Sequence, residues 1–177
     1  MLSLSIWRDE KAVIHWRTAA RHHEIQEKGR SEVFRDYHLR VGEIIADNQL
    51  PGGEQLRAER FDETQAVAKI AALSDGMLPD LPPQPDAASV ASRLGVPDLA
   101  GQPGLLAWDA FASIYQRGKH ILLTSWRDAA AAGSPRRNSD EIRHRRVRII
   151  RDYGMFDRAE APQYFPPVAP ERPARIV

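Results

Sequence analysis

Leu2, Leu4 and Ile6 alternate with Ser3, Ser5 and Trp7 at the start of the chain, the period of two expected of a strand with one buried face. Asp9 follows in the position of a helix N-cap. From Glu10 to about Arg30 there is no proline, and Val13, Trp16 and Ala20 recur at helical spacing. The pattern predicts one helix, or two short ones meeting near Thr18. Residues 36–45 alternate again, with Leu39, Val41 and Ile45 opposite His38, Arg40 and Ile44, and are expected to form a second strand.

Residues 47–53, "DNQLPGG", have the composition of a turn. Residues 61–76 are expected to form an amphipathic helix capped by Asp62 and stopped by Gly76. The four prolines of residues 77–86 remove backbone donors and make that stretch a connector, before a short helix over residues 87–94. Residues 105–115 and 120–126 flank "QRGK" as a hairpin with Gly118 in the turn, and residues 142–153 form a last strand. From Ala161 on, five prolines predict an arm without regular structure.

The chain writes one phrase twice. "SLSIWRD" at residues 3–9 matches "LLTSWRD" at residues 122–128, pairing Trp7 with Trp126, Arg8 with Arg127 and Asp9 with Asp128. "YHLRVGEI" then matches "RHRRVRII", pairing His38 with His144, Arg40 with Arg146 and Val41 with Val147. Two blocks in the same order imply a duplicated unit. The second copy is shorter between its blocks, with "AAAAGSPRRNSDE" as the remnant of its helix.

These blocks, with "LSLSIWRDEKAVIHWR", "RHHEIQEKGRSEVFRDYHLRV", "ASIYQRGKHILLTSWRD" and "HRRVRIIRDYGMFDRAEAP", resemble the antibiotic biosynthesis monooxygenase family of ferredoxin-like dimeric α/β-barrel proteins. The resemblance covers residues 2–46 and about 93–162. It implies an α+β fold of antiparallel sheets with helices on one face, two such units packing around a cavity. The implied organisation is an incomplete first repeat (1–50), a helix and Pro-rich connector (51–92), a second repeat with a shortened helix (93–160) and a Pro-rich arm (161–177). The first copy lacks its opening strand, helix and second strand. An unpaired strand edge at residues 2–7 is then expected to pair with another chain and give a homo-oligomer.

Composition narrows the chemistry. The chain has 177 residues, of which 42% are apolar, enough for a core without staples. A net charge of +1 gives no field for nucleic acid or an anionic membrane, and the flanking acids make the basic run of residues 143–151 a solvated strand face. The absence of cysteine removes thiolate metal sites, disulfides and Cys nucleophiles. No leader or membrane span is expected, and the reading is a cytoplasmic protein.

His38 with Arg40, and His144 with Arg146, sit on one face of equivalent strands. A histidine with a reference pKa of ~6.5 can deprotonate a phenol, and an arginine can stabilise the phenolate. These four are the candidate catalytic residues. Trp7, Trp16 and Trp126 are candidates for an aromatic pocket wall, the alternative being core filling, and Tyr115, with Lys119, for a cavity rim. The resemblance implies a cofactor-independent oxidation of a small aromatic or phenolic molecule by dioxygen, with no metal. A non-catalytic small-molecule-binding or oligomeric stress-related barrel is the alternative. Haem binding is a third, set back because the position ten residues after Trp16, where haem-opening relatives carry an axial histidine, is Gln26; His22 and His23 lie nearby on the helix.

Overall fold

The computed structural model describes residues 1–82, 85–96, 98–133 and 141–162. Two helices open the chain, α1 (Glu10–Thr18) and α2 (Ala20–Lys28), followed by a π-helical turn, Gly29–Val33. They part at Ala19, whose backbone is extended (φ −60°, ψ 129°), while Thr18 Oγ1 donates back to the Ile14 carbonyl at 2.8 Å. The rest runs β1 (His38–Asp47), β2 (Ile70–Met77), α3 (Ala87–Arg93), β3 (Leu105–Ala112), β4 (Lys119–Trp126), α4 (Ala129–Ala132) and β5 (Arg143–Gly154). The strands form one antiparallel sheet in the order β1-β5-β2-β4-β3. From β2 to β5 the succession strand, helix, strand, strand, helix, strand, with strand order β5-β2-β4-β3, is the ferredoxin-like α+β arrangement.

Local chemistry places the boundaries. Asp86 accepts from the Ser89 amide at 2.8 Å and starts α3, and Gly95, at φ +72°, lies just past its end. Gly118, at φ +82°, makes the β3–β4 turn. Asp9 and Asp128 cap α1 and α4 in the same way: their backbones are at φ −157°, ψ 171° and φ −155°, ψ 172°, and each carboxylate accepts from the amide three residues on at 2.8 Å. The matched sequence phrases thus carry matched cap geometry.

Two expectations are corrected. Residues 61–76 are not a helix: the stretch up to Lys69 is irregular and Ile70–Met77 is the central strand. β2 is paired on both sides, and all of its residues but Ala72 and Met77 are buried, polar Ser74 and Asp75 included, so its sequence shows no alternation of apolar and polar positions. The segment read as helix and connector, 51–92, therefore contributes the first strand and first helix of the ferredoxin-like order. Residues 2–7 lie in no strand. The arm beyond Pro162 and residues 134–140 of the α4–β5 connection fall outside the described residues.

The chain divides into two compact units. One comprises Met1–Leu39 with the described residues from Asp152 on. In it Arg30, 5% exposed, donates to the Tyr37 hydroxyl at 2.7 Å, and the Met155 amide donates to the Tyr37 carbonyl at 3.0 Å. The other, Arg40–Arg151, holds the cores. Val90, Ala91 and Leu94 of α3 pack on Leu122 of β4 with Leu78 and Leu99, and Ile149 packs with Ala68 and Ala71. Each fully buried large side chain there contributes about 1.5–3 kcal/mol of transfer free energy. No helix among the described residues is long and apolar enough to cross a membrane.

Gly42 of β1 lies so close to β5 that a methyl group there would run into the Arg148 carbonyl and the Val147 side chain. Gly42→Ala is expected to cost about 1–3 kcal/mol by overpacking, read as a lowered thermal midpoint. Gly53→Ala, with open space around it but φ +87°, separates backbone strain from this collision.

The end of β1 carries a buried ion pair. Burial alone would raise the pKa of the Asp47 carboxyl, but two hydrogen-bonding nitrogens of Arg143, the nearer at 2.6 Å, and the Gln49 amide outweigh it and hold it below the ordinary 3.8. A depressed folded-state pKa contributes stability that is present above the unfolded value and lost as pH falls through the folded one. Asp47→Asn should therefore cost roughly 1–2 kcal/mol at neutral pH, with the gap from wild type closing below about pH 4 in pH-dependent melts.

Candidate functional site

Cross-strand register gathers the polar groups. Ser74 of β2 stands opposite Leu122 on one side and His144 on the other, and Ala72 stands between Thr124 and Arg146. Because strand side chains alternate, Ala72 and Ser74, Thr124 and Trp126, and His144 and Arg146 share one face of the sheet. This is the face on which Leu122 meets α3. There they line a recess of about 70 Å³, whose wall also includes Val96, Gln102 and Ala132.

His144 is 6% exposed, and its Nδ1 lies 2.8 Å from Ser74 Oγ. Its backbone is clamped by Asn48 at the end of β1. The His144 amide donates to Asn48 Oδ1 at 2.7 Å, Asn48 Nδ2 donates to the Ile142 carbonyl at 2.9 Å, and the Asn48 amide donates to the His144 carbonyl at 3.2 Å. Trp126 is 4% exposed and donates from Nε1 to Thr124 Oγ1 at 2.8 Å, while that hydroxyl donates to the Ala72 carbonyl at 3.3 Å. The indole is thereby fixed as a wall of the recess. Arg146 donates through Nη1 to the Gly133 carbonyl at the end of α4.

Of the residues singled out by sequence, the fold brings together His144, Arg146 and Trp126. The residues matched to them in the earlier sequence blocks are placed differently. His38 is exposed and paired with the Asp152 carboxylate. Arg40 donates to Ser125 Oγ at 2.7 Å, on the opposite sheet face from Thr124 and Trp126. Trp7 and Trp16 stack at 5.2 Å in the N-terminal unit, where Trp16 also meets the His22 ring at 3.7 Å. Burial lowers the His22 pKa. His22 thus packs against Trp16, while position 26 is glutamine. Tyr115 is 94% exposed in the hairpin loop and does not line the recess, and Lys119 pairs with Asp75 at 3.2 Å.

Ser74, Asn48, Thr124 and Gln102 were missed. Ser74 sat in the segment read as helix and Asn48 in the segment read as a turn. No cluster of metal-ligating side chains occurs among the described residues.

If Asn48 orients His144, Asn48→Ala should cost about 1–3 kcal/mol and leave the imidazole a mixture of tautomers in ¹⁵N–¹H spectra. A lowered melting point with an unchanged His144 signal would reduce Asn48 to a structural tie.

No family profile and no solved structure matches the chain. Among curated proteins it is 43% identical over 175 residues to the protein named jasmonate monooxygenase ABM of Pyricularia oryzae. That alignment takes in 96% of this chain and 77% of the relative.

Proposed function

Since the chain belongs to the antibiotic biosynthesis monooxygenase family, we propose that the recess beneath Trp126 is where a small organic substrate meets dioxygen, with His144 as the proton acceptor. The observation that carries this reading is the buried Ser74–His144 pair, held in a recess with Trp126 and Arg146. When Nδ1–H donates to Ser74 Oγ, the basic lone pair of the imidazole sits on Nε2. That nitrogen takes the proton of a phenolic hydroxyl, and the indole packs against the ring.

The resulting phenolate is electron-rich enough to reduce dioxygen without help from the protein. One oxygen atom enters the ring as the carbonyl of a quinone and the other leaves as water. The substrate supplies all four electrons and its own two hydrogens, so the stoichiometry of one phenol and one dioxygen to one quinone and one water closes without an added reductant. The chain's own part is to remove the proton and to pack the Trp126 indole against the end of the molecule that enters the recess.

The relative's name favours a second reading of the substrate, a molecule such as jasmonate oxidised at a C–H bond. Inserting one oxygen atom there and releasing the other as water takes two electrons more than that bond supplies, so this reaction needs an external reductant. Reductant dependence therefore separates the two substrates.

The test is oxygen uptake by the purified protein with a panel of polycyclic phenols and with jasmonate, each with and without NADPH plus a reductase system. His144→Ala is expected to lower turnover by roughly 10²–10⁴-fold, and His38→Ala to leave it unchanged. Equal turnover by wild type and His144→Ala would remove the acid–base role. Binding of the same molecules with no oxygen uptake under any condition would favour a binding protein that has lost the reaction.

A further inference from the structure

Residues 143–148 of β5, which include the recess-lining His144, Arg145 and Arg146, carry four arginines, and three of them hold a carboxylate. Arg143 pairs with Asp47 at 2.6 Å, Arg145 with Asp75 at 2.5 Å and Arg148 with Glu43 at 2.7 Å. Arg146 is the exception. Its hydrogen bond goes to a neutral backbone carbonyl, that of Gly133, and no carboxylate among the described residues pairs with it. Its Nε is fully buried and has no hydrogen-bond partner among the described residues. Among the described residues the wall of the recess includes Arg146, Arg145 and His144 but no aspartate or glutamate.

A guanidinium left in a part-buried site without a counter-charge is costly, and natural sites normally pair it. With Nη1 held by Gly133, the side left over is the Nε edge of the guanidinium, one of the flat forks that match a carboxylate with two parallel hydrogen bonds. The Gln102 side chain is on the same wall, and Ala72, Val96 and Trp126 supply apolar surface. At about 70 Å³ the recess is under half the ~150 Å³ of an engineered cavity that holds benzene, so it admits one end of a ligand rather than the whole of it.

We infer that Arg146 recognises a carboxylate carried by the substrate, so that the recess selects organic acids over their neutral esters. The inference rests on the recess being the substrate site proposed above. It differs from that reading in what it asks of Arg146. A group that stabilises an anion formed during the reaction acts on kcat, whereas a carboxylate anchor acts on binding, before any chemistry.

The experiment is calorimetric titration of the full chain with two acid–ester pairs, jasmonate with methyl jasmonate and 4-hydroxybenzoate with its methyl ester, and with inorganic phosphate as competitor. At least one acid is expected to bind 10–100-fold more tightly than its ester. Arg146→Gln should remove that preference and Arg146→Lys should keep part of it, with the thermal midpoint reporting that each variant is folded. Neither acid outbinding its ester tenfold, or an undiminished preference in folded Arg146→Gln, overturns the inference. Phosphate displacing the acid at equal concentration would make the site a general anion site and also overturn it. The parent reading fails separately: normal turnover by His144→Ala would remove the reaction from His144 while leaving the acid preference and its dependence on Arg146 intact.

Discussion

The double pairing of β2 is the constraint on which the site depends. Eight of its residues, Ile70 to Met77, are fixed in register against β4 and six, Ile70 to Asp75, against β5, so the strand can neither slip nor rotate without losing two ladders at once. A slip by one residue would turn Ser74 away from His144 and bring the Asp75 carboxylate to the recess side. Asp75 instead lies on the other face, where Arg145 and Lys119 hold it. The same ladder that buries Ile70, Ala71 and Leu73 thus sets which charges face the recess. Packing of α3 on Leu122 closes one side of that face with Val90 and Leu94.

The duplicated phrase has separable structural consequences. Its aspartates keep one role in both copies, since an N-cap needs only a carboxylate at a helix start, and Asp9 and Asp128 satisfy it with nearly the same backbone angles. Its tryptophans do not, because burial depends on neighbours. Trp126 ends a strand paired on both sides and is 4% exposed, while Trp7 lies outside any strand and is 36% exposed. The histidines diverge for a related reason. His144 belongs to a strand between β1 and β2 and meets Ser74, whereas His38 begins the strand at the sheet edge and meets Asp152. Sequence equivalence here predicts backbone chemistry better than it predicts a side chain's surroundings.

That distinction also explains how far the chain could be read in advance. The break between α1 and α2, the N-cap of α1, the β3–β4 turn at Gly118 and the strand character of β1 and β5 rest on residues a few positions apart, and each was visible. β2 was not, because a strand buried on both faces shows no alternation. Of the recess, Trp126, His144 and Arg146 were found through the repeat. Ser74 was hidden by its partner lying 70 residues away, and Asn48 by a partner 96 residues away. Nothing local marks either. Tyr115 shows the opposite error: an aromatic beside a turn suggested a cavity rim, and the hairpin carries it into solvent.

Adjacent arginines in β5 show how strand geometry divides labour. Arg145 and Arg146 are neighbours in sequence with the same charge and comparable reach, so composition cannot tell them apart. The pleat sends their side chains to opposite faces. Arg145 meets Asp75, 5% and 7% exposed, and the pair ties β5 to β2. Arg146 emerges where α4 ends, and the carbonyl of Gly133 holds one nitrogen of its guanidinium without neutralising it. A backbone carbonyl orients a cation but removes none of its charge, whereas a carboxylate does both. Beside His144 the sheet therefore keeps a positioned guanidinium that no carboxylate among the described residues neutralises, while its sequence neighbour is held by Asp75 on the opposite face.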